Sequence, residues 1–255
     1  MLVLLPPSEG KTAPGTRGRR LDLGELSFPE LTDARKRVLE ALIETSGRDD
    51  ALELLDVGPS LLPEVERNTR LDRAPTAAAH QVYSGVLYDA LGWNTLPAGA
   101  KRRGANRILI ASALWGWVRP GDRIPAYRLS MDGRLAGLGA PAAHWRDVAT
   151  RTLTEAAGQH GVVVDCRSAP YVAAAPIPAA LASRTVAVRV LREENGRRTV
   201  VSHLAKHTRG IVTRRLLERP ADPRTPERLA ALLGADRRVE LTENRNRPWA
   251  LDVIE

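Results

Sequence analysis

The sequence is poor in cysteine and in aromatic residues, and each shortage excludes a class of protein. Cys166 is the only cysteine among 255 residues, so no disulfide can form within the chain. A small secreted domain held by disulfides is therefore excluded, as is a structural zinc site built from Cys-x-x-Cys pairs. Aromatic residues make up 4% of the chain, which is too few for an extended stacking platform for single-stranded nucleic acid.

Long apolar runs are also missing. The run at the start of the sequence, MLVLL, has five residues and no basic segment before it. A signal peptide needs an apolar core of about 7 to 15 residues, and a membrane helix needs about 20. We therefore expect a cytoplasmic protein that does not contact a membrane.

The charge balance is basic, whereas the rest of the composition is ordinary. Hydrophobic residues are 43% and charged residues 27%, as in a soluble globular protein, and the net charge is +8. A positive net charge favours polyanionic partners such as nucleic acid. Because arginine far outnumbers lysine, an arginine-rich proteome explains the same charge equally well.

The segment LPPSEGKT, residues 5 to 12, ends like a phosphate-binding P-loop but does not match one. That loop needs a glycine five residues before the glycine of its Gly-Lys pair, because backbone N–H groups must wrap the phosphates. Leu5 stands at that position, and Pro6 and Pro7 have no N–H to donate. The role of Ser8, Glu9 and Lys11 therefore needs another explanation.

Apolar periodicity and turn residues predict a mixture of strands and helices. Strands are predicted at residues 2–5, 107–112, 161–165, 237–242 and 249–254, with a hairpin over 184–203. Helices are predicted at residues 30–45, 50–56, 60–70, 142–158, 204–218 and 226–233, with helical pieces within 76–92. The order is not a regular βαβ alternation, so we predict an α+β fold in which residues 1–255 form a single domain, with a mixed β-sheet flanked by helices.

Polar residues gather where the predicted strands end. They are Ser8, Glu9 and Lys11 after the first strand, Ser112 after the second, Asp165, Arg167 and Ser168 after the third, and His203, Lys206 and Arg209 after the hairpin. Ligands of open sheets bind at such an edge. If these strands share one sheet, the cluster predicts a site for a small anionic or nucleobase-like ligand, with Tyr83 and Ser84 nearby.

Roles follow from the residue types. Lys11 and Lys206 would hold an anion, and Glu9 or Asp165 would act as a general base. Each residue also has an ordinary explanation: a solvated lysine, a surface ion pair, a turn cap or a basic helix face. Cys166 is better explained as a small buried apolar residue than as a nucleophile.

Five segments of the chain, in order, resemble the YaaA peroxide-stress family. They are LPPSEGKT, VYSGVLYDAL, LIASALWGWVRPGDRIPAYRLSM, VVVDCRSAPYV and SHLAKHTRGIVTRRLL. The run from Leu109 to Met131 is the most specific of them. The resemblance implies a cytoplasmic protein of the hydrogen-peroxide response that limits iron-driven oxidative damage.

The resemblance further implies DNA binding through a helix-hairpin-helix element, which would lie at residues 113–123. Such elements contact the sugar-phosphate backbone and so position DNA without determining sequence specificity. The N–H groups of Gly116, Val118 and Gly121 and the side chains of Arg119 and Arg123 would make these contacts. The basic run Lys101, Arg102 and Arg103 would add charge, and the expected partner is duplex or distorted DNA.

Residues that match the family pattern are Lys11, Tyr83, Gly85, Arg119, Pro120, Tyr127, Arg128, Ser168, Lys206, Arg209 and Gly210. Tyr127 and Arg128 thereby join the expected ligand-binding residues. Ser-Glu-Gly before Lys11 and Asp165-Cys166-Arg167 depart from the pattern, which leaves the ligand undefined.

Three functions therefore remain open: a DNA-binding stress protein, an enzyme acting on a small anionic ligand, and a direct iron chelator. Only His203 and His207 have helix-face spacing among the five histidines, so the chelator has the weakest support. We expect a monomer without a cofactor or a metal site.

Overall fold

A computed structural model describes residues 1–16, 18–199 and 202–255 of the chain. The strands are β1 (Leu2–Leu5), β2 (Ala77–Ala78), β3 (Ile108–Ser112), β4 (Gly116–Val118), β5 (Arg123–Ile124), β6 (Val163–Asp165), β7 (Thr185–Glu194), β8 (Arg197–Thr199), β9 (Val239–Thr242) and β10 (Trp249–Ile254). The helices are α1 (Thr32–Ser46), α2 (Ala51–Leu54), α3 (Leu62–Asn68), α4 (Ala79–Val82), α5 (Val86–Leu91), α6 (Ala98–Arg107), α7 (Pro141–Ala157), α8 (Ala169–Ala174), α9 (Ala179–Ala182), α10 (Ser202–Glu218) and α11 (Pro226–Gly234).

Eight of the strands form one mixed sheet, as the sequence predicts. Its order is β4-β3-β1-β6-β7-β10-β9, and β8 pairs with β7. The central strands β3, β1, β6, β7 and β10 are parallel, whereas β4, β8 and β9 pair in antiparallel fashion. Parallel strands need helices on their faces, which explains why β1, β3 and β6 are apolar and fully buried.

The register of the central strands brings three strand ends to one edge of the sheet. Leu4 lies opposite Leu109 of β3 and opposite Asp165 of β6. Because the strands are parallel, the segments that follow Leu5, Ser112 and Asp165 leave the sheet on the same side. The expectation that these strand ends meet is therefore confirmed.

The predicted hairpin forms at β7 and β8. Its turn residues Asn195 and Gly196 have positive φ angles of 51° and 74°, as a two-residue hairpin turn requires. Val200 and Val201, which the prediction assigned to the second strand, lie outside the described residues. His203 was predicted to end that strand, which is wrong, because the helix α10 begins at Ser202.

One continuous apolar core extends from Leu2 near the start of the chain to Val253 near its end, consistent with a single folded unit. None of the described helices has both the length and the apolar character needed to cross a bilayer.

The segment 113–123 belongs to this core, and the helix-hairpin-helix element expected there is not confirmed. It lies between strands: β3 precedes it, β4 occupies its middle and β5 begins at Arg123. Gly116 and Val118 are buried, and Gly116 lies against the Trp145 ring with a φ of 68°. The apolar residues that resemble a DNA-binding hairpin are the ones that fill the core.

A buried arginine holds this segment in place. Arg35 of α1 is fully buried, and its guanidinium donates to the carbonyl oxygens of Trp115 at 3.0 Å and Trp117 at 2.7 Å. Two further carbonyls, of Ser27 and Phe28, accept from the same group. Burial lowers the pKa of Arg35 to about 10, and Asp122 and Glu30 partly offset this effect. At neutral pH the group is therefore still a cation, satisfied by backbone oxygens.

The sequence did not predict helix α6, which contains the basic run 101–103. Its sequence, AGAKRRGANR, has two glycines and almost no apolar residues, so periodicity gives little signal. Tertiary contacts explain the helix: Gly104 lies under the Trp93 ring, and Arg103 donates to the carbonyl oxygens of Leu217 and Glu218 in α10.

Helix α10 packs against α5 at very short range through Gly210. A Cβ atom at this position would lie 2.2 Å from the Leu87 carbonyl oxygen and 2.8 Å from the Ala90 Cβ. Only a glycine permits this approach, and it brings the first turns of α10 next to the segment that precedes α5.

We expect Gly210→Ala to destabilise the fold, even though alanine is the better helix former. The added methyl group must push α10 away from α5, and such overpacking typically costs about 1 to 3 kcal/mol. The midpoint of urea unfolding measures the effect. Gly99→Ala in α6 is the matched control, because its Cβ would meet only the ends of arginine side chains, at 3.5 Å or more. Equal stability of the two variants would contradict the packing argument.

Candidate functional site

The loop after β1 is fixed in position by α5 and the segment before it. Tyr88 donates to the Pro6 carbonyl oxygen at 2.7 Å, and the Ser84 N–H donates to Ser8 Oγ at 3.1 Å. Lys11 and Tyr83 form an isolated antiparallel bridge. These contacts make the loop a wall of a cleft, rather than a phosphate-wrapping P-loop.

The loop, the start of α5, residues 128–132, the start of α8 and the first turns of α10 enclose a cleft of about 480 Å³, named here the cationic cleft. It is lined by Pro6, Pro7, Ser8, Glu9, Gly10, Ser84, Gly85, Val86, Leu87, Tyr88, Arg128, Leu129, Ser130, Asp132, Ser168, Pro170, Tyr171, Lys206 and Arg209. The structure thus brings together Ser8, Glu9, Ser84, Arg128, Ser168, Lys206 and Arg209 from the predicted site.

Of the three cations of the cleft, Arg128 has long ion pairs, and the other two have none among the described residues. Arg128 approaches Glu9 and Glu64 only at 3.7 and 3.9 Å. Within the described part of the chain, Lys206 and Arg209 form no ion pair, and the buried Nε of Arg209 has no hydrogen-bond partner. Among the described residues, the Arg209 guanidinium makes one hydrogen bond, from Nη2 to the Val188 carbonyl oxygen at 3.2 Å. The cleft therefore has cationic groups available to an anionic ligand.

Lys11 lies behind the loop wall and is half-buried. Its Nζ donates to the carbonyl oxygens of Ser8 at 2.8 Å and Glu9 at 3.1 Å, and lies 4.2 Å from the centre of the Tyr127 ring. Burial, followed by repulsion from Arg128, lowers the pKa of Lys11 to about 7, and Glu64 and Glu9 oppose the shift. The Lys11 amine therefore loses its proton far more readily than an ordinary lysine, whose pKa is about 10.5.

A chain of hydroxyl groups lies beside this amine. Tyr83 and Tyr127 share a hydrogen bond of 3.0 Å, and Tyr127 shares one of 2.7 Å with Ser112. Ser112 Oγ also accepts from the backbone N–H groups of Leu114 and Trp115. Burial raises the pKa of both tyrosines, so they are neutral. Tyr83 and Tyr127 are thus placed under Lys11 and do not line the cationic cleft.

Asp165 and Arg167, expected to act on the ligand, bind each other instead. Arg167 donates through Nε and Nη2 to the two carboxylate oxygens of Asp165 at 2.9 and 2.7 Å, and both side chains are buried. Arg167 Nη1 donates to the carbonyl oxygens of Tyr171 and Ala175. Neither residue lines the cleft. A buried ion pair is tolerated when its two groups satisfy each other, as these two do.

His203 and the residues expected to bind DNA lie elsewhere. His203 is exposed on the first turn of α10 and does not line the cleft. Arg119 donates to the Asn106 carbonyl oxygen at 2.7 Å, Arg123 to Thr76, and Lys101 to Asn94. Arg102 and Gly121 are exposed.

Sequence reasoning missed four polar residues of the cleft: Tyr88, Ser130, Asp132 and Tyr171. All but Asp132 lie within the family-like segments, so the resemblance was the available signal. Their positions in the cleft follow from tertiary packing. In the described residues, no group of three or more His, Cys, Asp or Glu side chains is arranged to hold a metal ion.

The lowered pKa of Lys11 is directly measurable, because the chain has only four lysines: Lys11, Lys36, Lys101 and Lys206. After reductive ¹³C-methylation, we expect one dimethyl-lysine signal to titrate near pH 7. That signal should be missing in Lys11→Arg, and Lys36→Arg is the matched control. Absence of any dimethyl-lysine signal titrating below pH 9 would contradict the burial of the Lys11 amine.

Comparison with known proteins identifies the family. The sequence profile of the family described as peroxide stress protein YaaA matches residues 1–237. A UPF0246 protein of Streptomyces coelicolor is 48% identical over all of this chain and 98% of its own length. A UPF0246 protein of Corynebacterium efficiens is 42% identical over 99% of this chain and its full length, and one of Cereibacter sphaeroides is 33% identical over 91% of each. The resemblance seen in the sequence is confirmed, and the chain belongs to the peroxide stress protein YaaA family, UPF0246.

Proposed function

We propose that this protein binds DNA in the cationic cleft during the peroxide stress response, and so limits iron-driven oxidative damage to that DNA. The observation that carries the proposal is the convergence of Arg128, Lys206 and Arg209 on one cleft. Family membership supports the role in peroxide stress.

The chemistry of the cleft suits a phosphodiester. Guanidinium and ammonium groups bind phosphate oxygens, and serine hydroxyls donate to them. Ser168 lines the same space as the cations, whereas the hydroxyl groups of Ser8 and Ser84 donate to the Gly10 carbonyl oxygen. Among the described residues, only Glu9 and Asp132 contribute carboxylates to the wall of the cleft. Contacts of this kind follow the backbone and are independent of sequence.

The cationic cleft is a better candidate for DNA contact than the segment 113–123. Gly116 and Val118 are buried in the core, and Arg119 is bound to the end of α6. Lys206, by contrast, is exposed on the first turns of α10 and lines the cleft, so it is open to a ligand. DNA contact is therefore assigned to Lys206 and Arg209 ahead of the residues that the hairpin would have supplied.

We expect Lys206→Gln to weaken duplex binding and to reduce the slope of log K against log salt by about 0.9, the contribution of one released counterion. In the double variant Lys206→Gln/Arg209→Gln, the slope should fall by about twice that amount. Fluorescence anisotropy across a salt series measures both.

Lys36→Gln is the matched control, since Lys36 is an exposed helical lysine paired with Asp33 at 3.7 Å. Arg119→Gln tests the alternative surface. Equal slopes for Lys206→Gln and Lys36→Gln would reject the cleft, and a loss confined to Arg119→Gln would return DNA binding to the 113–123 segment.

The Lys11 amine supports a second candidate function, an enzyme that acts on a ligand in the same cleft. A lysine with a pKa of about 7 can take up a proton or attack an electrophile at neutral pH. Nζ must first leave the carbonyl oxygens of Ser8 and Glu9, which form the wall between it and the cleft. Asp165 and Arg167 take no part, because they neutralise each other.

If Lys11 acts as the neutral amine, turnover should rise as the pH increases through about 7, because the neutral fraction rises in that range. Duplex DNA oxidised by hydrogen peroxide is the test substrate, with products followed on denaturing gels. Lys11→Met keeps the apolar stem and removes the amine, so it should abolish product formation while leaving DNA binding intact. Product formation by Lys11→Met at the native rate would exclude the amine from the chemistry.

A further inference from the structure

A second cavity of about 440 Å³ adjoins the cationic cleft, and we name it the aromatic pocket. Ser84 and Tyr88 line both cavities and therefore form the wall that they share. The aromatic pocket has a volume typical of small-ligand sites.

The aromatic pocket has a flat ring surface on one side. His80 and Trp93 stack with their ring centres 4.9 Å apart and their planes 21° from parallel. Trp93 is held in place because its ring lies against Gly104 of α6. The chain has few Phe, Trp and Tyr residues, and here one of them, Trp93, stacks with an imidazole ring at a cavity wall.

The floor of the pocket is apolar, and its rim is polar. Leu5, at the end of β1, and Ile110, in the middle of β3, contribute to the floor. Gln81 and Asn94 are exposed side chains at the rim, and amides of this kind hydrogen-bond to the edges of bases.

The imidazole of His80 carries a free polar atom. Its Nδ1 is buried and has no hydrogen-bond partner among the described residues. Burial, aided by repulsion from Lys101, lowers the pKa of His80, so the ring is neutral at pH 7 and has one donor and one acceptor nitrogen.

From these observations we propose that the aromatic pocket receives one unpaired nucleobase of the DNA strand whose backbone occupies the cationic cleft. The inference rests on the proposed function and adds to it the structure of the DNA that is recognised. A base and the phosphates of its own nucleotide are neighbours, as are the two cavities on either side of Ser84 and Tyr88. Fully paired DNA cannot fill the pocket without taking a base out of its stack, which costs a few kcal/mol.

The test uses a hairpin DNA with one bulged 2-aminopurine, compared with the same hairpin fully paired. The native protein should bind the bulged DNA more tightly and change its 2-aminopurine fluorescence. His80→Ala removes a stacking ring and should weaken binding to the bulged DNA by about tenfold. Asn94→Ala should also weaken binding to the bulged DNA. Neither variant should change binding to the paired DNA. His160→Ala, at an exposed histidine outside both cavities, is the matched control, and the exposed Asn94 keeps the test valid if His80→Ala fails to fold.

The outcomes separate the two proposals. Equal binding of bulged and paired DNA with unchanged fluorescence would overturn the base pocket and leave the DNA-binding cleft standing. If the native protein binds neither hairpin, both proposals are overturned. If 2-aminopurine deoxynucleoside monophosphate binds as tightly as the bulged hairpin, the occupant is a free nucleotide and the inference about DNA is wrong.

Discussion

The close approach of α10 to α5 at Gly210 is the contact on which the site depends. The missing side chain lets one helix rest on the Leu87 carbonyl, so the turn before Gly210 delivers Lys206 and Arg209 beside the loop after β1. The same loop is fixed from the other direction by Ser84 and Tyr88, which flank the start of α5. The cleft is therefore a product of one helix–helix contact, made at a position where any larger residue would separate its two walls.

The positions of the charged side chains, more than the net charge, show where an anionic ligand can bind. Much of the arginine in this chain is structural: Arg35 is satisfied by four carbonyl groups, Arg103 binds the end of α10, and Arg167 is neutralised by Asp165. A net charge of +8 therefore overstates the charge available to a ligand. In the cleft, Arg128 has only long ion pairs with Glu9 and Glu64, and among the described residues Lys206 and Arg209 have none. The buried Nε of Arg209 also has no hydrogen-bond partner in this part of the chain.

Several parts of the fold were predictable because their signals are local. Buried apolar runs specify β1, β3 and β6, and Asn195-Gly196 specifies the hairpin turn. Helix α6 was not predictable, since its stability comes from Trp93 and α10 and not from its own residues. The helix-hairpin-helix element that the family resemblance implied at residues 113–123 is not confirmed, and the two tryptophans of this segment are buried in the core.

The sequence by itself determined the family, through five segments that resemble it, and the mixed sheet, because buried strands are visible as local apolar runs. The structure showed that β1, β3 and β6 pair in parallel, so that their ends meet at one edge as the sequence had suggested. Only the tertiary structure decided which of the gathered residues face a ligand. Asp165 and Arg167 stand at the predicted edge, yet they bind each other there, whereas Tyr88 and Tyr171 reach the cleft from helices whose placement no local pattern reveals. The reason is physical: whether a charged side chain binds a ligand or a neighbour depends on distances of a few ångströms between segments far apart in the chain.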